Sequence, residues 1–284
     1  MDIFTHEWLQ RNDAPNLYLT STKKGSLKTI ILVPGIGWHA GFYVQLMNRL
    51  EEEGYRVIAV DLRGHGRSEG QRGQHLYEEL IEDVKDVVEY VVRNYEGDVY
   101  LFGTSFGASI AYYAAINTPH IKGLILNNAW DLNNLPSTIN KKRIFTMLNK
   151  HSENPNRLIA LPIIMGAKMS WSLFDNKLRF LGLLKDKLWH RKWSVQSWKS
   201  FLQYKADPSS IQNFNLPTLV LTGDQDGMLP LEYTQSVFHD LATSNKELKI
   251  IKNAGHMIML EYLDESVPIV SKWVKSIESR KDVV

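Results

Sequence analysis

Short apolar runs recur along the chain, and the spaces between them are long enough for helices. The runs cover residues 29–33, 57–60, 99–102, 123–126, 218–221 and 248–251. Each run is almost entirely apolar, which is typical of strands covered on both faces. Between the second and third runs, Leu80, Val84, Val88 and Val91 repeat at about 3.6 residues, which predicts a crossover helix. The pattern therefore predicts an α/β fold built on a mostly parallel sheet.

The chain begins with a different pattern. Residues 7–11 and 17–20 flank a turn-rich segment from Asn12 to Asn16 that contains Asp13 and Pro15. Asn, Asp and Pro favour turns because their side chains or rings stabilise turn backbones. We expect an N-terminal hairpin ahead of the first parallel strand.

The alternation stops after residue 126 and resumes only at residue 218. The interval of 91 residues is far too long for a structureless loop inside a compact domain. It contains three helix-like stretches, at residues 142–149, 178–193 and 195–204. We therefore expect an α/β core formed by residues 1–132 and 214–284. Residues 133–213 are expected to form an inserted helical cap.

Composition narrows the chemistry. The absence of cysteine excludes disulfides, thiolate nucleophiles and cysteine-bound metals, so a covalent nucleophile must be oxygen or nitrogen. A net charge of +2 is too small for a protein whose whole surface binds nucleic acid. The first residues lack a signal-like pattern, and no apolar run reaches the roughly 18–20 residues that span a bilayer. We expect a cytoplasmic protein that can still contact membranes peripherally.

A candidate nucleophile follows the third parallel strand. Gly103, Thr104, Ser105, Phe106 and Gly107 form a G-x-S-x-G pattern between a strand and a helical stretch. In this context the small residues allow a sharp turn that holds the serine hydroxyl above the sheet. Ser105 is therefore the predicted nucleophile, and the amide of Phe106 the first predicted oxyanion donor.

A serine nucleophile needs a base and a carboxylate that orients the base. In folds with this strand–turn–helix serine motif, the three residues follow along the chain in the order Ser, acid, His. His256 follows the last apolar run and is the predicted base. Two carboxylates, Asp224 and Asp226, follow the run at 218–221, and Asp131 follows the run at 123–126. We favour Asp226, with Asp224 as a residue that caps the loop and Asp131 as a hinge of the cap.

The second oxyanion donor should come from the loop after the first parallel strand. That loop begins Pro34, Gly35, Ile36 and Gly37, and its glycines permit close backbone approach, so the Ile36 amide is the candidate. A later stretch, from Asp61 to Ser68, is rich in glycine but lacks the spacing of phosphate-binding loops. No cofactor and no metal site are expected.

Together these residues resemble the α/β-hydrolase superfamily over essentially the whole chain. The loop from Pro34 to Tyr43, the stretch from Asp61 to Gly73, and the Ser105, Asp226 and His256 positions are similar to the monoacylglycerol lipase and lysophospholipase branch. The resemblance implies hydrolysis of single-chain acyl esters through an acyl-enzyme.

Two positions depart from that branch. Pro34 stands where the branch usually carries His, and Thr104 precedes the nucleophile where the branch usually carries His. The triad does not determine which leaving group is displaced, so thioester, lactone, amide and carbon–carbon bond hydrolysis remain alternatives. A hydrolase-derived receptor for small molecules is the alternative from another class.

The cap is strongly basic. Residues 131–210 hold 14 Lys and Arg against five Asp and Glu. The same segment carries Trp171, Trp189, Trp193 and Trp198, and basic and aromatic residues together are typical of segments that bind the headgroups of anionic membranes. One hypothesis is a solvated basic face above an aromatic acyl pocket. The other is docking of the cap on an anionic membrane or an acidic carrier.

Overall fold

The computed structural model describes residues 3–116, 118–131, 134–160 and 174–279. Its centre is an eight-stranded sheet in the order β1-β2-β4-β3-β5-β6-β9-β10. These strands are β1 Phe4–Leu9, β2 Leu17–Thr22, β3 Lys28–Val33, β4 Arg56–Asp61, β5 Asp98–Thr104, β6 Ile121–Asn127, β9 Thr218–Gly223 and β10 Lys246–Ile251. All six predicted parallel strands are confirmed, and the ends differ by one or two residues.

The sheet is parallel from β4 to β10 and antiparallel at β1 and β2. The first two strands form the predicted hairpin, with Phe4 opposite Thr22 and Leu9 opposite Leu17. Arg11, at the turn, donates hydrogen bonds to the carboxylates of Asp83 and Asp86. This ionic contact fixes the hairpin to a helix of the core, and Asp83 is fully buried.

Ten α-helices are described around the sheet. They are α1 Val44–Glu52, α2 Tyr77–Asn94, α3 Phe106–Ala115, α4 Lys141–Asn149, α5 Lys177–Leu183, α6 Val195–Gln203, α7 Pro208–Gln212, α8 Leu231–Asp240, α9 Ile258–Glu261 and α10 Leu263–Ser279. Helices α2 and α3 pack on each other and on the central strands, whereas α1 packs on α10. The central strand β3 is covered on both faces, because Ile30, Ile31 and Leu32 are fully buried.

The prediction of one helix over residues 178–193 is wrong. Helix α5 ends at Leu183, next to Gly182, which is a poor helix former. The segment ends instead in a short strand, β8 Lys192–Ser194, paired antiparallel with β7 Leu158–Ala160. Trp189 and Trp193 are spaced as on one helix face, but Trp189 packs on Trp38 and Trp193 packs on His75.

The backbone of this segment is attached to the core. The amide of His190 donates to the carbonyl of Gly37 at 2.9 Å, and the amide of Ser194 donates to that of Gly73 at 2.8 Å. A Cβ at Gly37 or Gly73 would collide with the carbonyl oxygen of His190 or Lys192 respectively. Both glycines are therefore required by the close approach of the cap backbone.

Parts of the expected cap lie outside the described residues, among them its boundary at residues 132–133 and Trp171. The division into a core of 1–132 and 214–284 and a cap of 133–213 stays a prediction. Among the helices that the structure describes, none is long and apolar enough to span a membrane.

Buried histidines lie at the junction of core and cap. The rings of His65 and His75 are 5.1 Å apart, and Trp193 packs edge-on against His75 at 4.6 Å. Within the described part of the chain neither ring nitrogen of His75 has a hydrogen-bond partner. Burial lowers the pKa of His65 to about 4 and the pKa of His75 well below its usual range. Positive charge on His65, His190 and Arg63 acts on His75 in the same direction.

We expect stability to fall as the pH drops from about 6.5 towards 4. Between these pH values the histidines of the unfolded chain bind protons, whereas the buried histidines of the folded chain stay neutral. The stability that depends on neutral His65 and His75 is therefore complete above pH 6.5 and is lost as the pH falls. For His65 alone the loss amounts to about 3 kcal/mol. Urea unfolding at pH 7 and pH 5 should show a smaller difference for His75→Phe than for wild type. The exposed control His239→Gln should behave like wild type, and an unchanged pH difference in His75→Phe would contradict the assignment.

Candidate active site

Ser105 lies at the sharp turn between β5 and α3. Its φ of 52° and ψ of −120° place a non-glycine residue in a sparsely populated backbone region. Its amide donates to the carbonyl of Asn127 on the neighbouring strand, and its carbonyl accepts from the amide of Ala108. These two bonds hold the strained turn, which projects the hydroxyl at the carboxyl end of the sheet.

The glycines of the G-x-S-x-G pattern allow the turn to pack closely. A Cβ at Gly107 would collide with the carbonyl oxygens of Val33 and Pro34, and one at Gly103 would collide with the backbone of Gly107. Helix α3 can therefore lie directly against the loop that follows β3. This contact brings the candidate nucleophile and the candidate oxyanion loop together.

The structure brings the three predicted triad residues together. The hydroxyl of Ser105 lies 2.8 Å from Nε2 of His256, and Nδ1 of His256 lies 2.7 Å from Oδ2 of Asp226. His256 and Asp226 are both buried. With the proton on Nδ1, the imidazole donates to Asp226 and can accept the serine proton at Nε2.

Asp226 is held by four donors. Its Oδ1 accepts from the amides of Met228 and Leu229 at 2.8 and 3.0 Å. Its Oδ2 accepts from His256 and also from Nδ2 of Asn128 at 2.5 Å. Burial acts to raise the pKa of Asp226, but the charge of His256 and the hydrogen bonds from His256, Leu229 and Met228 outweigh it, and the pKa lies below its ordinary value. The carboxylate therefore stays ionised.

Asn128 was missed by the sequence reasoning. It is fully buried, has a positive φ of 56°, and its Nδ2 lies 3.2 Å from Nδ1 of His256 as well as next to Asp226. It comes directly after β6, which lies between β5 and β9 in the sheet. A polar residue at that position must lie between Ser105 and Asp226, but the strand order needed for this deduction is not evident from the sequence.

The two other carboxylates considered for the acid position have different surroundings. Oδ1 of Asp224 accepts from the amide of Asn253 at 2.7 Å, which ties together the loops after β9 and β10. The backbone of Asp131 exchanges hydrogen bonds with the hydroxyl of Tyr233. Asp226 is the carboxylate that contacts His256 among these three.

The loop after β3 lies against the serine turn. Phe106 begins α3, so its amide has no acceptor within the helix, and Ile36 lies in the loop one residue beyond Gly35. The amide of Gly35 donates to the Tyr43 hydroxyl at 3.1 Å, and this hydroxyl lies 2.6 Å from Oγ1 of Thr104. Thr104 thus links the serine strand to the oxyanion loop through Tyr43.

Burial raises the pKa of Tyr43 to about 12, although the hydrogen bonds from Thr104 and Gly35 act to lower it. The hydroxyl is therefore neutral at any working pH and can serve as acceptor and donor at once. The presence of Thr104, where the resembling branch usually carries His, fits this bridge because its small hydroxyl reaches Tyr43 inside the core.

Two consecutive residues, Phe174 and Asp175, contact the loop after β3 and the loop that carries His256. Phe174, which is fully buried, stacks on Trp38 with ring centroids 5.9 Å apart. The next residue, Asp175, accepts from the amide of Gly255 at 2.9 Å, directly before His256, and from the hydroxyl of Tyr262 at 2.8 Å. The segment at residues 174–175 therefore joins the loop after β3 to the loop before His256.

Among the described residues, no group of three or more His, Cys, Asp or Glu side chains could hold a metal ion. The site consists of a hydroxyl, an imidazole, a carboxylate and backbone amides. Such a set can perform acyl transfer through a covalent serine intermediate.

Comparison with known proteins matches residues 25–262 to the family described as serine aminopeptidase, S33. An abhydrolase domain-containing protein of Dictyostelium discoideum is 26% identical over 90% of this chain, and the chain spans only 27% of that protein. The monoglyceride lipase of Rattus norvegicus is 37% identical over 36% of this chain and 35% of its own length. A soluble variant of monoglyceride lipase from Saccharomyces cerevisiae superposes with a TM-score of 0.81 at 19% identity, covering 98% of this chain and 96% of that chain. The predicted fold class is confirmed.

The acid assignment predicts a ranking of three variants. Asp226→Asn should lower kcat/KM by about 10³–10⁴-fold, because an amide disfavours the working tautomer of His256. Asn128→Ala should cost about 10–100-fold, the value of one hydrogen bond to a charged group. Asp224→Asn is the matched control, two residues earlier in the same loop, and should stay within about threefold of wild type. Kinetics on a short-chain ester measure all three, and a severe Asp224→Asn with a mild Asp226→Asn would contradict the assignment.

Proposed function

The chain belongs to the α/β-hydrolase family described as serine aminopeptidase, S33, and we propose that it cleaves single-chain acyl esters, such as a monoacylglycerol or a lysophospholipid, with Ser105 as nucleophile. The observation that carries the proposal is the contact chain from the Ser105 hydroxyl through His256 to Asp226. The broader class, a carboxylic ester hydrolase, is supported by the monoglyceride lipase of Rattus norvegicus, which aligns with 36% of this chain.

In the first half of the reaction Ser105 attacks the acyl carbon while its proton passes to Nε2 of His256. The tetrahedral oxyanion accepts hydrogen bonds from the amides of Ile36 and Phe106, which act in a buried setting where such bonds are strong. The ester bond then breaks, and the imidazolium gives its proton to the leaving alcohol. Asp226 stabilises the imidazolium throughout.

In the second half water replaces the alcohol. His256 takes a proton from the water as it attacks the acyl-Ser105 carbonyl, and the same amides hold the second oxyanion. Breakdown returns the proton to Ser105 and releases the carboxylic acid. The ionised state of Asp226, favoured by its four donors, is needed in both halves.

The relatives support the substrate class. The aligned segment of the rat protein belongs to a monoglyceride lipase, and the yeast structure is a monoglyceride lipase in complex with a substrate analogue. The family description names aminopeptidases, which keeps amide hydrolysis as the second candidate. Cytoplasmic location stays a prediction.

We expect Ser105→Ala to lose at least about 10⁴-fold in kcat while the fold persists, because only the nucleophilic oxygen is removed. The substrate panel comprises p-nitrophenyl esters of increasing chain length, a monoacylglycerol, a lysophospholipid and an aminoacyl p-nitroanilide. Labelling by a fluorophosphonate probe should disappear in Ser105→Ala and persist in Ser26→Ala, a control on an exposed loop.

Two outcomes would contradict the proposal at different levels. Equal esterase activity in Ser105→Ala and wild type would remove the serine mechanism. If the probe labels Ser105 fully but the enzyme cleaves only the anilide, the serine mechanism holds and the proposed ester substrates are wrong. The substrates would then be amides.

For the cap we propose docking on an anionic membrane. Leu178 and Leu181 on α5 are 81% and 46% exposed, and the exposed Lys185 and Lys187 follow them within one short segment. Exposed leucines beside lysines suit the headgroup layer, where each cation near the surface contributes about 1 kcal/mol. Trp193 and Trp198 take no part in this surface, because both are buried in the core.

Docking predicts binding to vesicles that contain phosphatidylserine, and this binding should weaken between about 50 and 500 mM salt because salt screens the lysines. Lys185→Glu with Lys187→Glu should reduce cosedimentation, and each single reversal should reduce it less, whereas Lys85→Glu, a single charge reversal on α2, should not. Absence of binding at low salt would contradict docking and leave the basic cap as a solvated face.

A further inference from the structure

A cavity of about 170 Å³ lies beside the residues that follow β6. Its lining includes Ala129, Trp130 and Asp131, which come directly after Asn128. Within the described part of the chain, neither Ser105 nor His256 belongs to the lining. Since one water needs about 10–15 Å³ of such space, the cavity admits a group of several non-hydrogen atoms.

Aromatic rings form much of the wall. Tyr112 and Tyr113 of α3 line the cavity, with ring centroids 5.1 Å apart at a steep angle, and Trp130 lines it as well. The faces of such rings carry negative electrostatic potential and attract cations, most strongly in the case of Trp. The rest of the lining is mainly aliphatic, which favours a ligand that carries alkyl groups.

The remaining polar groups of the wall are acidic. Asp131 and Asp240 line the cavity, and among its described lining residues none is a Lys, Arg or His. Burial and the nearby charge of Asp131 raise the pKa of Tyr112 to about 12, as expected in a region of negative potential. The wall therefore combines aromatic faces with two carboxylates.

Helix ends add to this potential. Tyr112 and Tyr113 belong to the last turn of α3, and α8 ends at Asp240, so residues at the carboxyl ends of two helices, where the helix dipole is negative, line the cavity. An ammonium group already binds nearby: Nζ of Lys246 donates to the carbonyls of His239 and Leu241 at 2.7 and 2.8 Å. The end of α8 therefore accepts an ammonium group of the protein itself, whose charge offsets part of the negative end of this helix.

We propose that this cavity is a binding site for a small organic cation, an alkylammonium or quaternary ammonium ion, separate from the Ser105 site. Tyr112, Tyr113 and Trp130 contact the alkyl groups, and Asp131 and Asp240 neutralise the charge. The site does not depend on the reaction proposed for Ser105.

Choline and its neutral isostere 3,3-dimethylbutan-1-ol are the matched probes, because they have the same shape and differ in charge. Titration calorimetry on the full chain should give a dissociation constant of about 1 mM or lower for choline, and at least about tenfold weaker binding for the isostere. Ser105→Ala should bind choline like wild type, so this result stands whether or not Ser105 is a nucleophile.

Four variants locate the site. Asp131→Asn and Asp240→Asn should each weaken choline binding several-fold, and Tyr112→Leu should do so while Tyr112→Phe, which keeps the ring, retains binding. Glu89→Gln, an exposed carboxylate on α2, is the control. Thermal unfolding of each variant separates loss of the site from loss of the fold.

The source of the cation is resolved by competition. If choline slows the hydrolysis of a choline lysophospholipid but not of a monoacylglycerol, the occupant is a lipid headgroup; if it binds and slows neither, the occupant is a free amine. Equal affinity for choline and the isostere, choline binding unchanged in both Asp131→Asn and Asp240→Asn, or no saturation below about 20 mM, would overturn the proposal.

Discussion

The close contact between the start of α3 and the loop after β3 is the constraint on which the site depends. Gly107 leaves no space between the helix and the carbonyls of Val33 and Pro34, so the turn at Ser105 and the loop that contains Ile36 form one packed unit. Two further links reinforce it: the bond from the Ser105 amide to Asn127, and the Tyr43 hydroxyl between Gly35 and Thr104. A shift of the helix by the size of a methyl group would move Ser105 and Phe106 away from Ile36.

The opposite side of the site depends on charge rather than on packing. Four donors surround the carboxylate of Asp226, and one of them, Asn128, also lies beside His256. Buried charges are costly unless they are hydrogen-bonded, and here the hydrogen bonds that stabilise the ion also fix its direction towards the imidazole. The three loops after β6, β9 and β10 are thereby joined at one carboxylate.

The sequence predicts the core well because its signals are local. The apolar runs mark β3 to β6, β9 and β10, and Ser105, Asp226 and His256 follow strand ends, which meet at one edge of a parallel sheet. Asn128 was not predictable in the same way, since its importance depends on β6 lying between β5 and β9. The segment 178–193 was misread because Trp189 and Trp193 are spaced as on a helix, while in fact each packs on a different part of the core. The spacing of apolar residues along the sequence indicates neither the strand order nor such long-range packing.

The attachment of the cap has an evolutionary consequence. At Gly37 and Gly73 the core receives backbone groups of His190 and Ser194, and the peptide backbone is the same whatever side chain it carries. Side chains in this part of the cap can therefore diverge without loss of these two anchors, provided that the two core glycines are kept. A segment held in this way can change its side chains from one descendant to another while the sheet beneath it stays constant.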